Sequence, residues 1–331
     1  MPFLVKFSNF AWILQRAAAL GLSLAITWPA QADYIVTPFD IPGASFTSAG
    51  GINNARTIVG DFNSGSGERG YLRTGPVGDI SIFDFNFPGA TNTFGTGLNN
   101  AGQFVGFYVD SGGVQHGYLN VGPNGNFISI DVPGALQTNA FGINDAGQVV
   151  GLYSTDPSGN THGFLRQGSS FTTIDVPGAT YTAAVGINDA GQIVGYFGDE
   201  GGQHGFLRQG SSFTTIDVPG TALTSATGIN AAGQIVGTFD DFEGESHAFV
   251  KDGLSFISIN VFGSTDTFGA GINDFGDVVG CHYKGSFVCS AYLATLVPEP
   301  STMTLVGISV LILFGYTWHR RLRDRSKPLP F

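Results

Sequence analysis

Four histidines at equivalent positions of the sequence are candidates for metal binding or proton uptake. Each precedes Gly-Tyr, Gly-Phe or Ala-Phe, and they are His116, His162, His204 and His247. Imidazole binds metals and titrates near neutral pH, so a ring of histidines could hold an ion or take up protons together. Equivalent positions in separate repeats lie on a ring too wide for one ion to contact several of them. This favours the other interpretation, a hydrogen bond made by each histidine within its own repeat.

A run of carboxylates is the second candidate. The segment DDFEGE supplies Asp240, Asp241, Glu243 and Glu245 within six residues. Calcium takes six to eight oxygen ligands, and this segment could provide several, although it lacks the full EF-hand pattern. The alternative is a solvated acidic loop. The sequence therefore offers calcium as a candidate ligand and no other cofactor or metal.

Four aspartates precede an Ile-Pro-Gly or Val-Pro-Gly turn: Asp40, Asp131, Asp175 and Asp217. Two carboxyl groups about 5 to 10 Å apart can hydrolyse a glycosidic bond. An acid and a base, however, need different environments that separate their pKa values, and repeated positions share one environment. These aspartates are therefore assigned to the turns. The chain also has no GxSxG, HExxH or phosphate-binding loop, so a non-catalytic protein is predicted.

Polar residues that break the repeat are the candidates for the alternative, a glycan hydrolase or lyase. They are Arg56, Arg69, Asp110, Asp156 and Glu243. Convergence of such residues at one mouth of a central channel, with perturbed titration, would favour catalysis. Scattered positions would favour adhesion or a structural role.

The cysteines are Cys281 and Cys289, which flank the short segment HYKGSFV. This segment contains Gly285 and predicts a hairpin, whose two strands would bring the thiols together. Two thiols and His282 leave a tetrahedral zinc site one ligand short. A disulfide is therefore predicted.

An internal repeat positions all of these residues. The motif G-[IL]-N-[DN] recurs at steps of 46, 45, 44, 42 and 43 residues, beginning at Gly51, Gly97, Gly142, Gly186, Gly228 and Gly271. One copy contains four short segments rich in β-branched and aromatic residues, separated by turn residues. A repeat of this length with four strands is the size of one propeller blade. An all-β, six-bladed propeller of four-stranded blades is predicted over residues 33–296.

The two ends of this region indicate how the ring closes. Residues 34–43 match the fourth strand of a repeat, and residues 290–296 match the third. One blade is thus divided between the ends, and pairing of its first and last strands would close the ring. An open array would instead need capping repeats at its ends.

The same repeat resembles a known family. His-Ala-Phe at residues 247–249, and His-Gly-Phe or His-Gly-Tyr in three other copies, are similar to the HAF repeat, a group of bacterial extracellular repeats. The resemblance covers nearly all of residues 33–296. It implies an extracellular, propeller-like array and no established activity. Arg69 and Ser290 stand where two copies lack the histidine.

The N-terminal residues 1–32 have the pattern of a signal peptide. Lys6 and Arg16 precede an apolar run over residues 17–28, and Ala30-Gln31-Ala32 offers a cleavage site. The apolar run is shorter than the roughly 20 residues that span a bilayer. Export across the inner membrane is therefore predicted.

The C-terminal residues 297–331 have three parts. Pro298-Glu299-Pro300 precedes an apolar segment at residues 303–318, which is predicted to be a transmembrane helix, and an arginine-rich end follows. The basic end favours the cytoplasmic side, which leaves the repeats outside. This order resembles the PEP-CTERM sorting signal, which implies an exosortase-type processing enzyme as partner and a transient membrane anchor. The alternative is an ordinary single-pass anchor.

Charge excludes one class of partner. Lys and Arg number 14 and Asp and Glu 25 in the chain; seven basic and 23 acidic residues of these lie within residues 33–296. Such a surface repels phosphate backbones, so no nucleic-acid partner is expected. The leading hypothesis is a cell-surface or extracellular-matrix propeller that acts as a binding or structural module. Its partner would be an extracellular polysaccharide, a surface protein or a cation.

Overall fold

The described part of the chain is an all-β propeller. A computed structural model describes residues 34–75, 81–122, 125–157, 159–283, 285 and 288–297. These residues form 24 strands in six four-stranded antiparallel sheets, as the repeat predicts. The described residues include no helix that is long and apolar enough to cross a membrane. The predicted signal peptide, Pro298-Glu299-Pro300 and the expected transmembrane helix lie outside them.

Blades 1 to 5 follow one another along the chain, and each is a four-stranded meander. Blade 1 contains β2 (Thr47–Ile52), β3 (Ile58–Asn63), β4 (Glu68–Thr74) and β5 (Ser81–Phe85). Blade 2 contains β6 (Asn92–Leu98), β7 (Phe104–Val109), β8 (Gln115–Asn120) and β9 (Phe127–Ile130). Blade 3 contains β10 (Gln137–Ile143), β11 (Val149–Ser154), β12 (His162–Gln167) and β13 (Ser170–Ile174).

The remaining blades repeat the same order until the last one. Blade 4 contains β14 (Tyr181–Ile187), β15 (Ile193–Asp199), β16 (Gly202–Gln209) and β17 (Ser212–Ile216). Blade 5 contains β18 (Leu223–Ile229), β19 (Ile235–Asp240), β20 (Ser246–Asp252) and β21 (Ser255–Ile259). Blade 6 contains β22 (Asp266–Ile272), β23 (Val278–Tyr283), β24 (Cys289–Leu296) and, as its outer strand, β1 (Tyr34–Phe39).

Blade 6 is assembled from the two ends of the propeller region. Strand β1 runs antiparallel to β24, with Tyr34 opposite Leu296 and Phe39 opposite Ala291. Opening this blade would separate all the backbone hydrogen bonds between β1 and β24. The division of one repeat between the two ends therefore produces the expected pairing.

Glycine allows the six innermost strands to approach one another around the central axis. A Cβ atom on Gly186 would lie 2.9 Å from the Cα atom of Gly228, and one on Gly271 would lie 2.9 Å from the Cα atom of Gly51. Any side chain would push neighbouring backbones apart. The glycine of the repeated motif is thus needed because only glycine permits this contact.

The asparagine of the same motif joins each blade to the next. Its side-chain amide donates a hydrogen bond to the backbone oxygen of the asparagine in the following blade. The six bonds measure 3.0 to 3.3 Å and form a closed ring through Asn53, Asn99, Asn144, Asn188, Asn230 and Asn273. Because all six side chains are buried, the ring satisfies polar groups that water cannot reach. This end of the axis, which we call the turn face, carries the turns between the first and second strands.

Each inner strand also has a β-bulge just before the axial glycine. The pairing between first and second strands shifts by one residue at the same place in all six blades. The bulged residues are Gly50, Thr96, Phe141, Val185, Thr227 and Ala270. A bulge redirects a side chain, and these residues line the axis on the side opposite the asparagine ring. We call this side the loop face, because it carries the loops between the second and third strands.

The core consists of six clusters, each built from two neighbouring blades. The third strand of every blade contributes a fully buried aromatic ring, from Tyr71, Tyr118, Phe164, Phe206, Phe249 and Tyr292. This ring is the third residue of the His-Gly-Phe type motif. Burial of these rings and of the β-branched residues beside them holds the blades together.

Candidate ligand-binding site

The six blades differ most where they face the axis on the loop face. The fourth residue of the second strand is a different residue in every blade: Asp61, Phe107, Leu152, Tyr196, Thr238 and Cys281. Positions that the blade needs for its own packing keep one residue type, as the axial glycines and buried asparagines do. The variable column is therefore free of that requirement, and its residues can specialise for a ligand.

An axial cavity lies at the centre of the loop face. Its volume is about 290 Å³, and it draws residues from all six blades. Blade 1 supplies Ser48 and Asp61, the bulges supply Phe141 and Thr227, and blade 6 supplies Phe268 among others. The cavity thus combines aromatic rings with a few polar groups, as small-molecule sites commonly do.

A lateral cavity of about 420 Å³ adjoins the axial one between blades 4, 5 and 6. The two cavities share Thr227, Phe268 and Gly269, and together we call them the funnel. The other residues of the lateral cavity are mostly polar: Tyr196, Gln203, Leu223, Ser225, Thr238, Asp240 and Ser246. Among the described residues, no Lys, Arg or His lines either cavity.

Hydrogen bonds within blades 4 and 5, and one between them, fix the polar wall of the lateral cavity. Tyr181 donates to Gln203 Oε1 at 3.0 Å, and the Gln203 amide donates to Ser225 Oγ at 2.6 Å. Ser246 donates to Asp240 Oδ1 at 2.6 Å. These contacts orient the side chains before a ligand binds, which reduces the side-chain conformational entropy lost on binding.

Asp61 is the most perturbed group of the funnel. Its side chain is 8% exposed, and Ser48 Oγ donates to its Oδ1 at 2.7 Å. Burial raises the pKa of Asp61 to about 7; the Ser48 hydrogen bond lowers the pKa and the nearby Glu68 carboxylate raises it. Asp61 is therefore a mixture of neutral acid and carboxylate near neutral pH.

Glu68 lies diagonally across from Asp61 in blade 1 and is not among the residues that line either cavity. Asp61 is opposite Gly70 and Asn63 is opposite Glu68, so the two acids are diagonal neighbours on adjacent strands. Cys281 and Cys289 hold the same two positions in blade 6, where their Cα atoms are 5.8 Å apart. Burial raises the pKa of Glu68 as well. Blade 1 thus places two carboxyl groups side by side.

The disulfide is confirmed between Cys281 and Cys289. It joins the second and third strands of blade 6, the blade that is assembled from both ends of the propeller region. Cys281 also lines the axial cavity. The bond therefore stiffens one wall of the funnel in addition to the closing blade.

The four histidines bond within their own blades, as expected. His116, His162 and His204 contact Asp131, Asp175 and Asp217 at 2.8 to 3.0 Å, and His247 contacts Asn260 at 2.9 Å. Three of the four aspartates before the Pro-Gly turns therefore bond to a histidine of the neighbouring strand, and the fourth, Asp40, accepts a hydrogen bond from Ser290. The hydrogen bond that Asp217 accepts from His204 raises the pKa of His204. The histidines lie apart from the residues that line the funnel.

The acidic segment of blade 5 is partly brought together. One ligand atom from each of Asp241, Glu245 and His247 lies within 4.8 Å of the others. Asp241 Oδ1 accepts hydrogen bonds from the backbone N–H groups of Glu245 and Glu243. These bonds, together with the contact between Asp241 Oδ2 and His247, lower the pKa of Asp241. Asp240 is turned instead toward Ser246 in the lateral cavity. The four carboxylates predicted as calcium ligands therefore do not form one cluster: Asp241 and Glu245 lie together with His247, whereas Asp240 bonds to Ser246.

The five residues chosen as catalytic candidates do not converge. Arg56 lies on the turn face and contacts Asp277. Arg69 contacts Asp84, at a position where other blades place histidine. Asp110, Asp156 and Glu243 lie in loops of three different blades. None of the five lines the axial or the lateral cavity among the described residues.

Sequence reasoning missed Asp61 and Glu68. The available signal was the column of second-strand residues, in which Asp61 replaces residues such as Phe107 and Leu152. A carboxylate in a largely apolar column is costly to bury. Its presence marks blade 1 as the blade that places a charged residue in this column.

Comparisons with solved structures confirm the fold alone. The structure of YjhT has a TM-score of 0.51 at 10% identity, covering 80% of this chain and 97% of that one. The SapL1 lectin in complex with alpha methyl fucoside has a TM-score of 0.50 at 12% identity, covering 78% and 99%. A luciferin-regenerating enzyme has a TM-score of 0.48 at 10% identity, covering 80% and 95%. No protein-family model and no curated protein matches the chain.

Proposed function

We propose that this protein is a non-catalytic, extracellular binding module that holds a saccharide in the funnel. The observation that carries this proposal is the concentration of repeat-breaking residues there. Polar and aromatic side chains that the blade does not need line two adjoining cavities of about 290 and 420 Å³. A ligand that spans both cavities would be larger than a monosaccharide.

The chemistry of the funnel suits a polyhydroxylated ligand. Gln203, Ser225 and Thr238 offer neutral donors and acceptors for hydroxyl groups. Tyr196 and Phe268 offer flat apolar surfaces for the C–H faces of a sugar ring. The acidic character of residues 33–296 disfavours nucleic acids, which bind through Lys and Arg. The lectin of similar fold binds alpha methyl fucoside, and at 12% identity it contributes no residue to this proposal.

A glycan array tests the proposal directly. The full chain, purified in mild detergent, is expected to bind a subset of saccharides. Gln203→Ala removes the contacts with Tyr181 and Ser225 and should weaken that binding by about tenfold or more. Gln209→Ala is a matched control, because Gln209 is an exposed residue of the same strand. Absence of binding to every saccharide would contradict the proposal.

Hydrolysis of the bound glycan is the second candidate function. The observation in its favour is the pair Asp61 and Glu68, whose pKa values are both raised by burial. A neutral acid beside a carboxylate is the arrangement that glycosidases use. Incubation of a bound oligosaccharide with the protein would release reducing ends if this candidate is right. Asp61→Asn should then abolish the release.

We also propose that the propeller reaches the cell surface through its terminal segments. The HAF-repeat resemblance supports an extracellular location, and the PEP-CTERM resemblance supports sorting by an exosortase-type enzyme. Replacement of Pro298, Glu299 and Pro300 by alanine should leave the full-length product in the inner membrane. Normal processing of that variant would contradict the sorting proposal.

A further inference from the structure

The carboxyl group of Asp61 is incompletely satisfied within the protein. Its side chain is 8% exposed, and it lines the axial cavity. Ser48 supplies its one hydrogen bond among the described residues, and that bond goes to Oδ1. The other oxygen, Oδ2, accepts none there. Oδ2 is therefore free to accept a hydrogen bond from a ligand, and a charged donor there would form a stronger hydrogen bond than water does.

Two aromatic rings share the cavity with this carboxyl group. Phe141 projects from the bulge of blade 3, and Phe268 belongs to the inner strand of blade 6. The faces of aromatic rings attract organic cations, and a carboxylate beside them adds a direct charge partner. No Lys, Arg or His of the described residues lines the cavity to compete for Asp61.

We infer that the axial cavity is an ammonium-binding subsite, in which Asp61 receives the amino group of an amine-bearing saccharide. The inference rests on the proposed function, because it assumes that the funnel is the ligand site. It adds the chemical class of the ligand: a glycan with a free amino group rather than a neutral or acetylated one. An ammonium group bound to Asp61 could donate to Oδ2 while the sugar ring extends into the lateral cavity.

A bare metal ion fits this subsite poorly. Calcium takes six to eight oxygen ligands, whereas the axial cavity has one carboxylate, Asp61, and a few hydroxyl and carbonyl groups. An organic ammonium needs fewer oxygens, because the aromatic rings supply part of the attraction.

The charged and titratable groups around Asp61 are few. Glu68 and Tyr71 lie on β4, the neighbouring strand, and Tyr118 on β8 interacts with Asp61 from blade 2. Burial raises the pKa values of both tyrosines, so they stay neutral. Cys281 is in a disulfide and does not titrate. Ammonium binding should therefore strengthen as Asp61 loses its proton near neutral pH.

Calorimetric titration with matched probes tests the inference. The saccharide probes are the β-1,4-linked trisaccharides of glucosamine, N-acetylglucosamine and glucose, which differ only at carbon 2. The glucosamine form should bind the full chain about tenfold more tightly than the glucose form. Asp61→Asn should reduce that preference to near unity. Asp131→Asn is the charge-matched control at a distant hydrogen-bonding pair with His116, and it should keep the preference.

A second pair of probes separates this inference from the proposed function. Cyclohexylammonium should bind the wild-type chain and not Asp61→Asn, whereas cyclohexanol should bind neither tightly. Binding of neutral trisaccharides without any preference for the amine would overturn the inference and leave the proposed function standing. Binding of cyclohexylammonium without any saccharide binding would overturn the proposed function and leave the ammonium subsite standing. Equal affinity of wild type and Asp61→Asn for cyclohexylammonium would overturn the inference outright.

Discussion

The Nε atom of Arg56 lies 2.8 Å from Oδ2 of Asp277, across the boundary between blade 1 and blade 6. The Asp277 side chain is 2% exposed and the Arg56 side chain 55% exposed. Four other blades place a glutamine at the position of Asp277 and glycine at that of Arg56: Gln103, Gln148, Gln192 and Gln234, and Gly102, Gly147, Gly191 and Gly233. The ion pair is therefore particular to the boundary where the ring closes.

Removal of Arg56 should destabilise the propeller. Arg56→Ala leaves the buried Asp277 carboxylate without its charge partner, which should cost about 1–2 kcal/mol, less than for a fully buried pair because Arg56 is half exposed. The double variant Arg56→Gly with Asp277→Gln restores the pair of residues found in the other blades. Urea unfolding should place the double variant within about 1 kcal/mol of the wild type. A double variant with a lower free energy of unfolding than Arg56→Ala would contradict this role of the ion pair.

The buried asparagine ring should contribute more to the free energy of unfolding than the exposed hydrogen bonds of Asn100 on the same face. Asn144 donates to Asn188 O and Gln148 Oε1 and accepts from the Gln148 N–H group. Asn144→Ala removes all three bonds in a buried place, so the free energy of unfolding should fall by about 2–4 kcal/mol. Asn100→Ala removes only exposed side-chain hydrogen bonds, with the Asn54 N–H group and the Asp145 carboxylate, and should cost less than about 1 kcal/mol. Equal losses, measured by urea unfolding, would argue against the ring as a structural element.

Asp61 should make stability depend on pH. Its folded pKa of about 7 lies above the ordinary value of 3.8, so the folded state keeps a proton that the unfolded state has lost. Stability from this group therefore falls as pH rises from about 4 to about 7 and is constant above that. The free energy of unfolding of Asp61→Asn, relative to that of the wild type, should therefore increase by about 2–3 kcal/mol from about pH 5 to about pH 8. A stability difference that does not change between these conditions would contradict the raised pKa.

Much of the fold follows from residue types and spacing. The repeated Gly-Ile-Asn motif predicts the blades, and both its glycine and its asparagine have structural tasks that act between blades. The division of one repeat between residues 34–43 and 290–296 predicts the pairing of β1 with β24. These features were predictable because each one recurs, or completes a copy that the others define.

The candidate site was less predictable. A ligand site uses the positions at which the repeats differ. A repeat motif is defined by the positions that the copies share, so it gives no information about the others. Asp61 and Glu68 come together because the register between β3 and β4 makes them diagonal neighbours, and this pairing is absent from the linear sequence. Loop residues such as Asp110 are polar for a local reason, since Asp110 accepts the backbone N–H groups of Gly112 and Val114.

The location of a bound saccharide decides whether the funnel is the ligand site. Crystals of the protein grown with a glycan selected on the array should be examined by X-ray diffraction. We expect density for the ligand in the funnel, in contact with Gln203, Thr238 and Phe268 and extending toward Asp61. Density confined to the outer rim beside the histidines, or to the turn face at the asparagine ring, would contradict it.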